Sequence, residues 1–292
     1  MIEPPSPTPR LRLALPNKGR LCQPALNLLR ETGLVFEEDD RRLFAPCHNY
    51  PLDLLFVRAE DVGEYTQDGV VDLGITGSNL LQEAGAGVTH RLELGFGRCR
   101  LQLAVPHSTQ IASAEGLAGL RVATSHPRIT AEFFAARQIE VRLIEISGAV
   151  EVAPLLGVAD AIADLVASGS TLATNGLKPL ETLLESQAEL VACPDLEPER
   201  LRLVEELTLM MASVIAASRR RYLMLNAPSE SVERIRSVVP GMGAPSVIQL
   251  AAPGMVAIHV VVDAESIWQS LGPLREAGAS SILVLPIEKL IP

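Results

Sequence analysis

The sequence predicts an α/β fold of two lobes followed by a small βαββαβ domain, and three observations carry that reading. From residue 10 to about 215, short apolar runs alternate with segments of helical period, the rhythm of βαβ units in largely parallel sheets. After Arg221 the order changes to strand, helix, strand, strand, helix, strand. The length of 292 residues suits at least two domains at about 150 residues each. With 48% hydrophobic and 21% charged residues, the chain has ample material for packed cores.

Residues 11–15 read as a strand, and 21–32 as a helix that Gly33 stops. Further strands fall at 54–57 and 71–75. A second βα series starts near Leu101, with a strand at 120–124 and a turn at His126-Pro127. A helix over 131–137 follows, with Thr130 as its cap. Then come a strand at 141–146, a helix at 150–156 and a strand at 160–166. Residues 197–217 form one long helix, acidic early through Glu197, Glu199, Glu205 and Glu206 and followed by Arg219, Arg220 and Arg221. That polarity complements the helix macrodipole, so the basic triplet reads as a helix-end device.

The last part gives strands at 222–225, 247–250, 256–262 and 282–285, with helices at 231–239 and 266–277. This is the ferredoxin-like order. Residues 1–9, MIEPPSPTP, hold four prolines and no apolar run, and read as a disordered tail, not a signal peptide. The expected divisions are lobe I at 10–100 plus about 195–220, lobe II at 101–194, and a C-terminal domain at 222–292.

Composition removes several classes of function. The net charge is −10, from 25 Lys+Arg and 35 Asp+Glu, the opposite of a chain that coats a nucleic-acid backbone. Any phosphate it binds belongs in a local pocket. Aromatics at 3% are too few for a base-stacking platform. No run approaches the ~18 apolar residues of a membrane span. Cys22, Cys47, Cys99 and Cys193 are widely spaced, which argues against a zinc cluster or a disulfide framework. A cytoplasmic location is the expectation.

Three segments stand out chemically. Pro16-Asn17-Lys18-Gly19-Arg20 joins a strand to a helix, where free N–H groups and two cations suit an anion. A solvated basic turn accounts for it equally well. In Val71-Asp72-Leu73-Gly74-Ile75-Thr76-Gly77-Ser78-Asn79, glycines permit close backbone approach and Thr76, Ser78 and Asn79 offer neutral donors at a strand end. Such turns are also common in plain loops. In the third segment, residues 161–172, an apolar strand carrying Asp164 runs into Ala167-Ser168-Gly169-Ser170-Thr171 ahead of a helix. Its N–H groups and hydroxyls suit a terminal phosphate and the acid suits ribose hydroxyls, while a loop capped by Ser168 or Thr171 is the plainer alternative. Glu151 by itself reads as a first-turn acid. His48, His90, His107, His126 and His259 show no paired spacing and read as packed or surface residues. There is no G-x-S-x-G elbow, so covalent hydrolysis has no support.

Together these motifs resemble the long form of the ATP phosphoribosyltransferases, the first enzymes of histidine biosynthesis. LALPNKGRL, VDLGITGSNLL and LGFGRCRLQLAV stand in that family's order. EVAPLLGVADAIADLVASGSTL, residues 151–172, fits its signature with Glu151, Gly157, Ile162, Asp164, Ser168, Gly169 and Thr171 in register. HVVVD and SILVLPIEKLI resemble the regulatory domain of the long forms. The likeness covers 11–292 and leaves out the proline-rich start.

The resemblance implies a two-lobed, periplasmic-binding-protein-like catalytic core with a C-terminal regulatory domain. It implies transfer of the phosphoribosyl group of phosphoribosyl pyrophosphate to N1 of ATP, with Mg²⁺ and release of pyrophosphate. By the same likeness, Asp164 and the loop Ala167, Ser168, Gly169, Ser170 and Thr171 would hold phosphoribosyl pyrophosphate, with Glu151 at the ribose hydroxyls or the metal-bound pyrophosphate. Lys18, Arg20, Arg58, Asp72 and Thr76 would line the ATP side, and Lys18, Arg20, Glu151 and Asp164 would carry the chemistry; no metal ligands are assigned. Histidine would bind the C-terminal domain at Asn226, Met242, Ser246 and Ser281 and inhibit. A homohexamer built from dimers is implied as well. The contrasting expectation is a two-lobed small-molecule binding protein without catalysis, which would need an export signal or a DNA-binding module, and neither is visible. A different phosphoribosyltransferase is a second rival, against which stands the lone Asp164 after Ala163 where an acidic pair is usual.

Overall fold

The computed structural model describes residues 9–37, 43–167 and 169–291. The expected tail therefore lies, but for Pro9, outside the described residues, as does Ser168.

The chain opens with β1 (Leu11–Pro16), α1 (Cys22–Glu31), β2 (Phe44–Pro46), β3 (Leu52–Val57), α2 (Val62–Gln67), β4 (Leu73–Gly77), α3 (Ser78–Ala84) and β5 (Thr89–Glu93). Lobe II holds β6 (Cys99–Pro106), β7 (Arg121–Thr124), α4 (Pro127–Ala136), β8 (Arg142–Glu145), β9 (Ala161–Val166), α5 (Ser170–Thr174) and β10 (Leu177–Ser186). The chain returns through β11 (Ala188–Ala192) and α6 (Pro198–Ser218). It ends in β12 (Arg220–Pro228), α7 (Val232–Val238), β13 (Ser246–Gln249), β14 (Met255–Asp263), α8 (Ile267–Glu276) and β15 (Ser280–Pro286).

The described residues form three sheets, in the orders β2-β3-β1-β4-β11-β5, β10-β6-β9-β7-β8 and β13-β14-β12-β15. In the first, β1 pairs in parallel with β3 and β4. Its Leu11, Leu13, Ala14 and Leu15 are all buried, as expected of a central parallel strand covered on both faces. A Cβ on Gly74 would lie 2.5 Å from Thr66 Oγ1 and Val62 Cγ1, so glycine there lets α2 rest directly on β4. In the second sheet β7 is parallel to β8 and β9, and apolar clusters cover both faces. The chain crosses between these sheets twice, from β5 to β6 and from β10 to β11, with Gln187 alone spanning the second crossing. That is the expected two-lobed core.

The last sheet is antiparallel, with Leu223, Leu225, Val256, Ile258 and Val260 packed on Ile235, Ile267 and Leu274 of its helices. Its strand order is that of the ferredoxin-like unit, as the sequence predicts. The chain divides into two compact units. One contains both lobes and the other contains 28–33 and the chain from Leu207 on, so the division falls inside α6 and not after it.

Several local expectations are corrected. Residues 188–192, expected in lobe II, are a strand of the first sheet. Helix α4 starts at Pro127, whose fixed φ and missing N–H suit a first helical position. Thr130 lies inside that helix and donates its hydroxyl to His126 O at 2.7 Å instead of capping it. The expected helix at 150–156 is only a 3₁₀ turn, Val150–Val152; Ala149 enters it at φ +50° and Pro154 lacks the N–H needed to continue. Arg220 and Arg221 belong to β12, where Arg220 pairs with Asp263 at 2.9 Å and Arg221 reaches back to Ser218 O at 3.1 Å. β10 has no counterpart in the sequence reading. It carries Pro179 beside a register shift on the sheet's edge, the position where a strand tolerates proline.

Candidate active site

A cleft of about 780 Å³ separates the lobes at the C-terminal ends of their parallel strands, where open α/β sheets place ligands. Lobe I contributes Asn17, Lys18, Gly19 and Arg20 after β1, Arg58, Ala59 and Glu60 after β3, and Asn79 and Glu83 from α3. Lobe II contributes Ser125 and His126 after β7, Glu145 at the end of β8 with Ile146 and Ser147 after it, and Leu165 of β9.

The basic loop is shaped by its own backbone. Asn17 N–H donates to Val57 O at 2.7 Å, tying the ends of β1 and β3 together. Gly19 adopts φ +83° with open space around it, so conformation and not crowding calls for glycine. Lys18 and Arg58 are exposed in the cleft. Arg20 donates from Nη2 to Cys99 Sγ at 2.7 Å. Cys99 lines an adjoining pocket of about 760 Å³, together with Arg98, Arg100, Ala167 and Gln187.

On lobe II, Asp164 sits half-buried near the end of β9, its Oδ1 accepting Leu165 N–H at 2.8 Å. Burial pushes its carboxyl above the ordinary range, the Leu165 bond opposes this, and the charge of Glu151 adds to the rise. Glu151 exerts this influence from the 3₁₀ turn, thirteen positions earlier in the chain. Gly169, at φ +82°, leads into α5, whose Thr171 O accepts from Asn175 N and Nδ2. Gly169 occupies the N-cap place, so Thr171 does not cap this helix, and Ser168 lies outside the described residues. Of Ser170 only the backbone is described.

Two expected ligand contacts lie elsewhere. Asp72 is buried at the opposite, N-terminal edge of β4, where it lines a separate pocket of about 230 Å³ and binds Arg200. Thr76 is fully buried, its Oγ1 donating to Ala59 O at 2.8 Å. It steadies the Arg58 loop instead of facing a ligand. The structure therefore gathers Lys18, Arg20 and Arg58 on the lobe I wall of the cleft; on lobe II Leu165, the neighbour of Asp164, lines it, Ala167 lines the adjoining pocket, and Asp164 and Glu151 are not among the lining residues. Sequence reasoning missed Glu83 and Ser186, which link the lobes; Ser186 closes β10, the strand that had no visible signal.

Among the described residues no cluster of three or more His, Cys, Asp or Glu side chains is poised for a metal. A divalent ion bound chiefly by substrate phosphates needs no such cluster. In the C-terminal domain, Asn226 of β12 pairs with Ala257 of β14 and Ser280 of β15, Ser246 opposes His259, Met242 N–H donates to Val261 O at 3.1 Å, and Ser281 adopts φ +50°. Among the described residues no helix is long and apolar enough to cross a membrane.

Comparison with known proteins bears on the family and the fold. The family model described as ATP phosphoribosyltransferase matches residues 58–213, and that of the HisG C-terminal domain matches 217–289. An ATP phosphoribosyltransferase of Cytophaga hutchinsonii is 41% identical over 96% of this chain and 98% of its own length. Its counterpart in Gemmatimonas aurantiaca is 42% identical over 97% of this chain and all of its own. A solved ATP phosphoribosyl transferase complex from Thermotoga maritima, 28% identical, aligns with 70% of this chain and 98% of that one at a TM-score of 0.61. A binding protein without catalysis is not favoured by these matches. With the cleft, both family models and full-length relatives in agreement, the chain belongs to the ATP phosphoribosyltransferases, transferases that carry out the first step of histidine biosynthesis.

Proposed function

We propose that the cleft binds ATP against Lys18, Arg20 and Arg58 and phosphoribosyl pyrophosphate against Glu151, Asp164 and residues 167–171. The observation that carries this reading is the cationic loop wall of lobe I facing the strand ends of lobe II across one cleft, where Leu165 of the lining follows Asp164 directly and Gly169 leads into α5. N1 of the adenine forms a bond to C1 of the ribose as the bond from C1 to pyrophosphate breaks, and its electron pair leaves with pyrophosphate. The centre passing through this step is oxocarbenium-like, so orientation and charge placement do the work and no protein nucleophile is needed. Lys18, Arg20 and Arg58 neutralise phosphate charge on the lobe I side. Asp164 accepts from ribose hydroxyls, whose donors offset the burial that raises its carboxyl in the free protein.

Mg²⁺ would be held by the substrate phosphates with Glu151 and Asp164 close by, and would supply charge neutralisation for the leaving pyrophosphate. Histidine would inhibit by binding the C-terminal domain around Asn226, Met242, Ser246 and Ser281, in a homohexamer built from dimers in the cytoplasm. The test is equilibrium binding of phosphoribosyl pyrophosphate with Mg²⁺ to the wild type, Asp164→Asn and Glu151→Gln. Weakened binding in both variants is expected, and undiminished affinity in both would overturn the assignment.

A further inference from the structure

Helix α3 of lobe I grips the start of helix α4 of lobe II at two points one turn apart. Glu83 accepts the N–H groups of Arg128 and Ile129 at 2.7 and 3.0 Å. Asn79 meets His126 Nε2 through Nδ2 at 2.9 Å, and both residues are almost fully buried at 2% and 4% exposure.

The hydrogen bonds around this second point determine its polarity. Ser186 Oγ accepts from Asn79 N–H and from Ser78 Oγ, both at 3.1 Å. Its own proton goes to Asn79 Oδ1 at 2.8 Å. Asn79 Oδ1 is thereby an acceptor and Nδ2 the donor toward His126, whose Nε2 must be unprotonated. The imidazole proton then sits on Nδ1, 3.0 Å from Ser125 Oγ. The histidine backbone is held equally firmly, its N–H donating to Thr124 Oγ1 at 2.9 Å and its carbonyl accepting from Thr130. One polar chain thus runs from the second crossing between the lobes, through α3, into the N-terminus of α4, along the lining of the cleft.

We infer that Asn79 and His126 are positioning residues for phosphoribosyl transfer: their buried hydrogen bond sets lobe II against lobe I so that substrates held on opposite walls meet in line. The inference rests on the two-wall reading given above. The physical reason is that neither wall holds both reactants, so any rotation between lobes changes the reacting distance directly, and a displacement of about 1 Å costs on the order of 10²-fold in rate. Breaking the bond leaves Lys18, Arg20 and Arg58 on lobe I and Asp164 on lobe II in place. Binding of phosphoribosyl pyrophosphate alone should survive while kcat falls.

The test compares His126→Leu, which loses the acceptor, with His126→Gln, whose amide oxygen can take the place of Nε2. His126→Leu should lose about 10²-fold in kcat with its dissociation constant for phosphoribosyl pyrophosphate within about threefold of wild type, and His126→Gln should recover most of that loss. Equal losses in the two variants, or none in His126→Leu, would overturn the inference. If His126→Leu fails to fold, Asn79→Ala removes the donor and is read the same way. Ring ¹⁵N NMR of the wild type should place the proton on Nδ1, and Asn79→Asp, which offers only acceptors, should move it to Nε2; a wild-type proton on Nε2 would contradict the assignment. A wild type that neither binds phosphoribosyl pyrophosphate nor turns over would instead refute the two-wall reading itself.

Discussion

Arg200 Nη1 lies 2.6 Å from Asp72 Oδ1 and 2.8 Å from its Oδ2, and the backbone N–H of Arg12 donates to that same Oδ2 at 2.7 Å. Asp72 therefore joins helix α6 to the edge of the first sheet, away from the ATP side that the family resemblance implied for it.

Asp72→Ala should accordingly affect stability and not substrate binding. It leaves the Arg12 amide and the half-buried Arg200 without their acceptor, a loss of about 1–3 kcal/mol. Urea unfolding should show that loss, and Michaelis constants for both substrates should stay within about twofold of wild type, well under the tenfold change that 1.4 kcal/mol represents. A large rise in the constant for ATP with unchanged stability would return Asp72 to the substrate side.

Asp164 should show the opposite pattern. Its carboxyl is raised, chiefly by burial, so the folded protein favours the protonated form and ionising it opposes folding. Stability from this group is full below its unfolded value and is lost as pH rises through the folded one. Asp164→Asn should therefore raise the Tm at neutral pH, with the gain shrinking as acid protonates the wild-type residue, while the Michaelis constant for phosphoribosyl pyrophosphate rises. Calorimetry across pH, paired with kinetics, checks both halves.

For His126 the sign reverses. Burial holds its imidazole below the ordinary value, with Glu83 opposing. The unfolded chain takes up this proton below about pH 6.5, so the group's contribution is complete above that and declines on acidification toward the folded value. Between about pH 7.5 and about pH 5.5 the wild type should lose more stability than His126→Gln. Parallel losses would mean that His126 titrates normally.

Asn226→Ala should relieve histidine inhibition without altering turnover in its absence. A coupling of 1–3 kcal/mol corresponds to a 5–150-fold effect, so the half-inhibiting concentration should rise at least about fivefold. Inhibition curves that superimpose would place the effector elsewhere.

Periodicity exposed most of the architecture. The alternation around Leu11, Leu13 and Leu15, the glycine after α1 and the βαββαβ order are local signals, and each corresponds to an element in place. The departures come from tertiary context. β10 contains Pro179 and alternates poorly, because an edge strand with register shifts buries little on one face. Asp72 and Thr76 sit in a motif whose glycines and hydroxyls suit a ligand, yet only packing reveals that one faces Arg200 and the other Ala59. The basic loop and the Asp164 segment were legible because strand ends and glycines mark them. The Asn79–His126 bond joins residues 47 apart on different lobes, a pairing that spacing alone does not encode.

The most direct test of the account is pyrophosphate release from the purified protein with ATP, phosphoribosyl pyrophosphate and Mg²⁺, each omitted in turn, with and without histidine. The account predicts release that needs all three components and falls when histidine is added. Binding of both substrates without release under any of these conditions would contradict it.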